Sequence, residues 1–252
     1  MGWLVALAMC IGPASAQPGG LSGPEVLTLR LKMSNVHLIK GPNPILVDAG
    51  GPDDMPELVK SLAAHGLRVE DIAVVVLTHG HSDHAGLAAE IQRLGHAKIA
   101  LGAGDVPMAK QGDHGALSPT NFTGRILARF AIDPRFPPFE PDIVVTAELD
   151  LAPWGVAGRA VAMPGHTPGS VVVLLDDARA FVGDVILGGY LGGALRPQKA
   201  GPHYFHAALA QNESNIQTLL HKGIKTFFLG HGGPVSRESV IEAFPARDAV
   251  SR

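Results

Sequence analysis

Ile72-Ala73-Val74-Val75-Val76-Leu77 runs straight into Thr78-His79-Gly80-His81-Ser82-Asp83-His84. The first six residues form an apolar, β-branched run of the kind that makes a strand buried on both faces. The residues that follow offer three imidazoles and a carboxylate at the point where the chain leaves that strand. The same arrangement recurs further along. Val161-Ala162-Met163 breaks at Pro164-Gly165 and delivers His166, Ala180-Phe181-Val182-Gly183 delivers Asp184, and Thr226-Phe227-Phe228-Leu229-Gly230 delivers His231. Side chains at the ends of several strands converge on one rim of a sheet-built core. His79, His81, Asp83, His84, His166, Asp184 and His231 together make the donor set of a two-metal site.

The spacing divides that set. His79 and His81, two apart in extended chain, point the same way, and His166 completes a three-histidine group. Asp83 and His84 lie where the chain turns into a helix and form a second group with His231, leaving the Asp184 carboxylate to bridge the two. Two ions roughly 3.5–4 Å apart share a hydroxide and polarise the bond it attacks. Zinc brings the pKa of its water to about 7, so two Zn2+ per chain are expected; iron and manganese also suit His and carboxylate donors.

Composition sets the frame. The 252 residues suit one large domain or two fused halves, and 46% hydrophobic with 17% charged residues describes a globular chain. The 31 glycines and 20 prolines imply many tight turns. Net charge is −3 with no basic run, so a small-molecule substrate is expected and nucleic acid is not. Residues 1–16 read as an export signal, with an apolar stretch at 3–11 and a small-x-small cleavage site at Ala14-Ser15-Ala16, although no Lys or Arg precedes the apolar stretch. That stretch is too short to span a bilayer as an anchor. The expectation is a periplasmic or secreted chain whose mature domain covers 17–252. Cys10, the single cysteine, would leave with the signal.

Strands are expected at 26–31, 36–40, 45–47, 72–77, 98–101, 143–145, 159–163, 171–175, 180–182 and 226–229. Helices are expected at 56–65, 84–94, 124–130, 206–221 and from 236. The proline-rich segment 102–142 reads as an insertion over the active-site face, and the glycine-rich stretch 188–203 as a flexible lid. Strands with helices in both halves point to two sheets face to face with helices outside, an α+β class.

Thr78-His79-Gly80-His81-Ser82-Asp83-His84, Pro164-Gly165-His166-Thr167-Pro168-Gly169-Ser170, Gly183-Asp184 and Gly230-His231-Gly232, in that order, resemble the signature of the metallo-β-lactamase-fold hydrolases. The resemblance covers about 26–244. It implies an αββα four-layer sandwich with a dinuclear site on one edge, and it matches Asp48 to an aspartate that steadies the first histidine cluster. Asp184 stands where true metallo-β-lactamases generally carry Cys or Ser, so the chain looks more like the glyoxalase II and lactonase branches. It ends soon after His231, without the helical extension and basic residues that bind glutathione in glyoxalase II. The implied reaction is attack of metal-bound hydroxide, oriented by Asp83, on an ester, thioester, lactone or lactam carbonyl. A periplasmic β-lactamase is one alternative. Another is a mono-iron persulfide dioxygenase, which would use His79, His166 and Asp184.

The remaining histidines divide by context. His65, His96 and His221 adjoin expected helix C-termini, where an imidazole suits the dipole; His37 and His114 carry no partner signal. His203, Tyr204 and His206, with Tyr190, lie in the stretch after Asp184 and are the candidate substrate contacts. Phe122, Phe139, Tyr190 and Phe205 are the aromatic residues expected around the opening.

Overall fold

The computed structural model describes residues 23–129 and 133–246. The expected export signal and Cys10 lie outside the described residues. Six strands form the first sheet: β1 (Val26–Arg30), β2 (Asn35–Ile39), β3 (Ile45–Val47), β4 (Val74–Val76), β5 (Lys98–Gly102) and β6 (Ile143–Val145), in that spatial order. The second sheet takes β7 (Glu148–Asp150), β8 (Gly158–Ala162), β9 (Val171–Leu175), β10 (Arg179–Gly183), β13 (Thr226–Leu229) and β14 (Val235–Ser236). Their spatial order is β14-β13-β10-β9-β8-β7. Parallel pairing is confined to β3-β4-β5-β6 and β10-β13. These are the strands whose C-terminal ends carry most of the donors.

Alternation along the strands explains why their runs are apolar throughout. Ile45, Val47, Val74 and Val76 face Val171, Val173, Phe181 and Phe228 of the other sheet in a shared inner core. Their neighbours Leu46 and Val75, with Ile99, point outward onto Leu58 and Leu62 of α1 (Met55–Ala63) and Ile91 of α3 (Ala88–Gly95). On the far side, Val172, Val182 and Phe227 meet Ile216 and Leu219 of α6 (Leu209–His221) and Val240 of α7 (Arg237–Ala243). The central strands are thus covered on both faces, and the layers are αββα. The chain has the expected fold.

Several elements differ from the sequence-based expectation. The helix expected at 84–94 is two pieces, α2 (Ser82–Ala85) and α3. The break falls at Gly86, whose N–H donates to Gly50 O and where any side chain would collide with the backbone of Gly51 and Pro52. The insertion 102–142 contains α4 (Val106–Gln111), which was not expected, and α5 (Phe122–Leu127), capped when Asn121 Oδ1 accepts from the Gly124 N–H at 2.8 Å. The stretch read as a flexible lid is a paired hairpin, β11 (Leu187–Tyr190) with β12 (Leu195–Gly201). Its turn takes left-handed conformations at Leu191, Gly192 and Gly193, so the glycines that looked like flexibility serve the turn.

Candidate metal centre

All seven expected donors meet at one edge of the sandwich. His79, His81, Asp83 and His84 leave β4 of the first sheet, whereas His166, Asp184 and His231 leave β8, β10 and β13 of the second. His81 Nδ1 lies 3.1 Å from His79 Nε2 and 3.2 Å from His166 Nε2. His84 Nε2 is 3.4 Å from His231 Nε2, and Asp83 Oδ2 is 3.2 Å from His231 Nε2 and 3.6 Å from His84 Nε2. Asp184 sits between the groups. Its Oδ2 is 3.9 Å from His79 and 3.7 Å from His166, and also 3.4 Å from His231; its Oδ1 is 3.5 Å from His84.

Hydrogen bonds on the far side of each ring fix these orientations. His84 Nδ1 donates to Asp48 Oδ2 at 2.9 Å, His166 Nδ1 to Phe205 O at 2.9 Å, and His231 Nδ1 to Met33 O at 2.8 Å. Carboxylate and carbonyl oxygens only accept, so Nδ1 carries the proton and a neutral ring turns its Nε2 lone pair inward. His79 is held by relay. Asp48 accepts from Thr78 N–H at 2.7 Å and from the Thr78 hydroxyl at 2.9 Å, and that hydroxyl in turn accepts from His79 Nδ1 at 3.0 Å. Asp48 is fully buried in the left-handed conformation, φ 67°, and ties both histidine groups together.

Two glycines make room for the convergence. A methyl group on Gly230 would collide with the Asp184 carboxylate and the His84 ring, and one on Gly183 (φ 51°) with the Thr78 hydroxyl. The Gly-Asp and Gly-His pairs of the sequence are therefore packing requirements of the centre itself.

Electrostatics agree with a cation-binding role. Burial, reinforced by neighbouring imidazoles, holds His79 and His166 well below the usual histidine range and His81 at about 3, so all three are neutral donors. Burial also pushes His84 and His231 down. There it is outweighed by Asp184 and Asp83, with Asp48 adding at His84, which together hold His84 well up and His231 at about 10. Burial pushes the carboxyls of Asp83 and Asp184 up, but the nearby imidazoles overcome it and hold both low. Negative potential strong enough to retain those protons would equally retain a divalent cation. Asp184 Oδ1 is buried with no hydrogen-bond partner among the described residues, an acceptor that a metal ion would complete. The donors present fit the metal groups expected from the sequence.

The substrate-side candidates separate. His203 Nε2 comes 3.2 Å from Asp184 Oδ2, forming a further donor group with His166 and Asp184. Tyr204 and Phe205 line the chamber above the donors, which measures about 420 Å3 and is otherwise walled by Met33, Leu117, Leu127 and Leu187. Tyr190 does not reach it, because it points into the neighbouring groove. His206 sits behind His166, ring centroids 5.4 Å apart, facing a cavity of about 50 Å3 rather than the chamber. Phe122 is exposed and Phe139 is packed against Phe136 in the helix layer, so neither lines the chamber itself. His114, which carried no signal, faces His81 at 4.8 Å and lines the chamber. Asp105 is also absent from the sequence reading. It accepts from Gly80 N–H and Gly169 N–H, both at 2.8 Å, and from the Thr167 hydroxyl at 2.6 Å, joining the loops that carry His79, His81 and His166. Its position three residues beyond β5 follows the pattern of the other donors and was the available clue.

A family model described as the Metallo-beta-lactamase superfamily matches residues 29–231. The chain belongs to the metallo-beta-lactamase superfamily. It is 27% identical over 169 residues to the probable metallo-hydrolase YflN of Bacillus subtilis (strain 168), covering 63% of each chain. It is 31% identical over 149 residues to a hydroxyacylglutathione hydrolase of Anaeromyxobacter dehalogenans (strain 2CP-C), covering 59% of this chain and 44% of that one. The chain thus spans under two thirds of the length of these curated relatives. Among solved structures, the Rm3 metallo-beta-lactamase superposes with a TM-score of 0.62 at 20% identity over 88% of both chains. A metallo-beta-lactamase family protein of Thermus thermophilus gives 0.59 at 23% identity, covering 86% of this chain and 77% of that one. At such identities the superpositions speak to the superfamily fold alone.

Proposed function

We infer that the chain is a hydrolase of neutral esters, thioesters or lactones that works with two zinc ions, one held by His79, His81 and His166 and the other by Asp83, His84 and His231, with Asp184 between them. The observation that carries this reading is the set of inward-facing nitrogens around Asp184, three of them on rings whose Nδ1–H is spent on a fixed acceptor. Zinc bound there supplies Lewis acidity toward a carbonyl and lowers the pKa of water to about 7. The chain's own residues supply the rest. Asp83, held ionised and lining the chamber, would accept a hydrogen bond from the attacking water on a carboxylate oxygen, take its proton, and return it to the alkoxide or thiolate that departs as the acyl C–O or C–S bond breaks. His203 and Asp184 face the chamber beside it, and the apolar walls keep bulk water from the acyl group.

The lining supports the choice of substrate class. No Arg or Lys is among the described residues that wall the chamber, so a carboxylate held inside it, such as that of a β-lactam, would find no Arg or Lys partner there. The names of the relatives, a metallo-hydrolase and a hydroxyacylglutathione hydrolase, support hydrolysis more broadly. The test begins with metal content after expression with both zinc and iron supplied. About two zinc ions per chain and turnover of neutral p-nitrophenyl esters or lactones are expected, with metal binding at one site and turnover both lost in Asp184→Ala. A single iron per chain with persulfide oxidation and no ester turnover would overturn the reading.

A further inference from the structure

The mouth of the chamber is built from two segments whose surfaces share an unusual composition. On α5 and the turn after it, Phe122, Ile126 and Leu127 are exposed beside Arg125 and Arg129. On the β11–β12 hairpin, Tyr190, Leu191 and Leu195 are exposed beside Arg196 and Lys199. Phe122 and Leu191 are each 74% exposed, the highest values among the large apolar side chains described. Leu127 and Gly192 both line the chamber, and Asn121, Tyr190 and Lys199 line the groove of about 340 Å3 that adjoins it, so the two segments flank one opening. Exposed apolar side chains gathered on one rim mark an interaction site, whereas single ones scattered over a surface do not.

Charge identifies the partner. No Asp or Glu occurs in residues 114–132 or 185–212, although the whole chain carries net charge −3. Many of the other cations described pair with carboxylates, as Lys40 does with Glu25, Lys98 with Asp142, Lys110 with Glu140 and Arg179 with Asp177. Arg125, Arg129, Arg196 and Lys199 form no salt bridge among the described residues. Glu242 lines the adjoining groove with Lys199 without pairing to it. Apolar tips interleaved with free cations fit a surface that offers hydrocarbon beneath anionic headgroups. A second copy of the chain fits poorly, since a two-fold contact would set this cation-rich, acid-free rim against itself.

We propose that this rim docks the chain reversibly on anionic lipid bilayers, with the chamber opening between the two inserted segments. Docking is peripheral, and no described helix is long and apolar enough to cross a membrane. It stands apart from the hydrolase reading, because it is read by binding and not by turnover.

The test is flotation of the full chain with vesicles of phosphatidylcholine alone or mixed equally with phosphatidylglycerol, at low and high salt. The wild type is expected to float with the anionic vesicles at low salt, to be released by high salt, and to stay behind with phosphatidylcholine alone. Combining Arg125→Glu, Arg129→Glu and Arg196→Glu should weaken anionic binding about a hundredfold or more, given about a factor of five per cation near such a surface. The pair Phe122→Ser and Leu191→Ser should weaken it while thermal unfolding and metal content stay at wild-type values. Equal flotation with both lipids, or binding that survives both sets of substitutions, would overturn the proposal; the latter would place the contact elsewhere, such as the N-terminal apolar stretch. Concentration-dependent dimerisation abolished by Phe122→Ser and Leu191→Ser, without lipid binding, would overturn it in favour of self-association.

Discussion

Asp48 shows how one carboxylate organises a site it does not enter. It takes the Thr78 N–H and hydroxyl and the His84 Nδ1–H, so both histidine groups depend on its charge. Asp48→Ala should weaken metal binding by about 10- to 100-fold, the usual cost of losing a partner that orients metal-ligating histidines. Competition against a chromophoric chelator measures this, and wild-type affinity would show that the histidines hold their positions unaided. His37 makes a contrasting case. It carried no signal in the sequence, yet it is fully buried, accepting from the Thr28 hydroxyl at 3.1 Å and donating to Leu229 O at 3.1 Å. Burial lowers its pKa from 6.5 to about 4. An unfolded chain therefore takes up a proton below pH 6.5 that the folded chain refuses until about pH 4. The resulting penalty is absent above pH 6.5, grows as pH falls, and levels off below pH 4 at about 3 kcal/mol. Urea unfolding across that range should give a shallower loss of stability in His37→Gln than in the wild type. Parallel curves would show that His37 takes up its proton as readily in the folded chain as in the unfolded one.

At the level of elements, legibility follows chemistry and packing. The strands Ile45–Val47, 171–175 and Thr226–Leu229 coincide with observed strands, because continuous apolar runs between turn signals are what doubly covered strands require. β7 and β14 were missed, since Glu148-Leu149-Asp150 is polar at an exposed edge and Val235-Ser236 is too short to have a period. The hairpin was missed because glycine reads the same in a turn and in a flexible loop. The metal donors were legible as local motifs, but Tyr190 and His206 were misplaced because their directions depend on the hairpin register and on how residues 202–208 cross behind His166. Asp105 belongs to this scale, since it joins the loop after β4 to the loop after β8. Asp105→Ala strands two buried backbone N–H groups and a hydroxyl, which should lower stability by about 3 kcal/mol in urea unfolding. It should also weaken metal binding at the three-histidine group more than at the group containing His231, and uniform weakening would assign Asp105 to general stability instead.

Across the whole molecule the centre is a clasp between layers. Four donors come from the loop after β4 in the first sheet, and His166, Asp184 and His231 come from the second. The inner core joins the same sheets chiefly by apolar contact, with Val74 and Val76 across from Val171, Val173 and Phe181, helped by the bond that His37 of β2 donates to Leu229 O of β13. Separating the sheets would break the donor set, so metal binding and folding are linked across the entire sandwich, not only locally. Without metal, the inward-facing carboxylate oxygens and imidazole Nε2 atoms at the edge that holds the donors face chiefly one another. A ligand present at about a thousand times its dissociation constant adds about 4 kcal/mol to the folded state. In a chain of this size, that corresponds to a rise in Tm of roughly 10 °C. Chelation should therefore lower Tm by about that amount in a single cooperative transition, and zinc should restore it. Loss of cooperativity on chelation, with one sheet melting before the other, would show that the core alone does not couple the layers. An unchanged Tm would show that the clasp carries no part of the stability and that the donors are held in place by Asp48, Asp105 and the packing behind them.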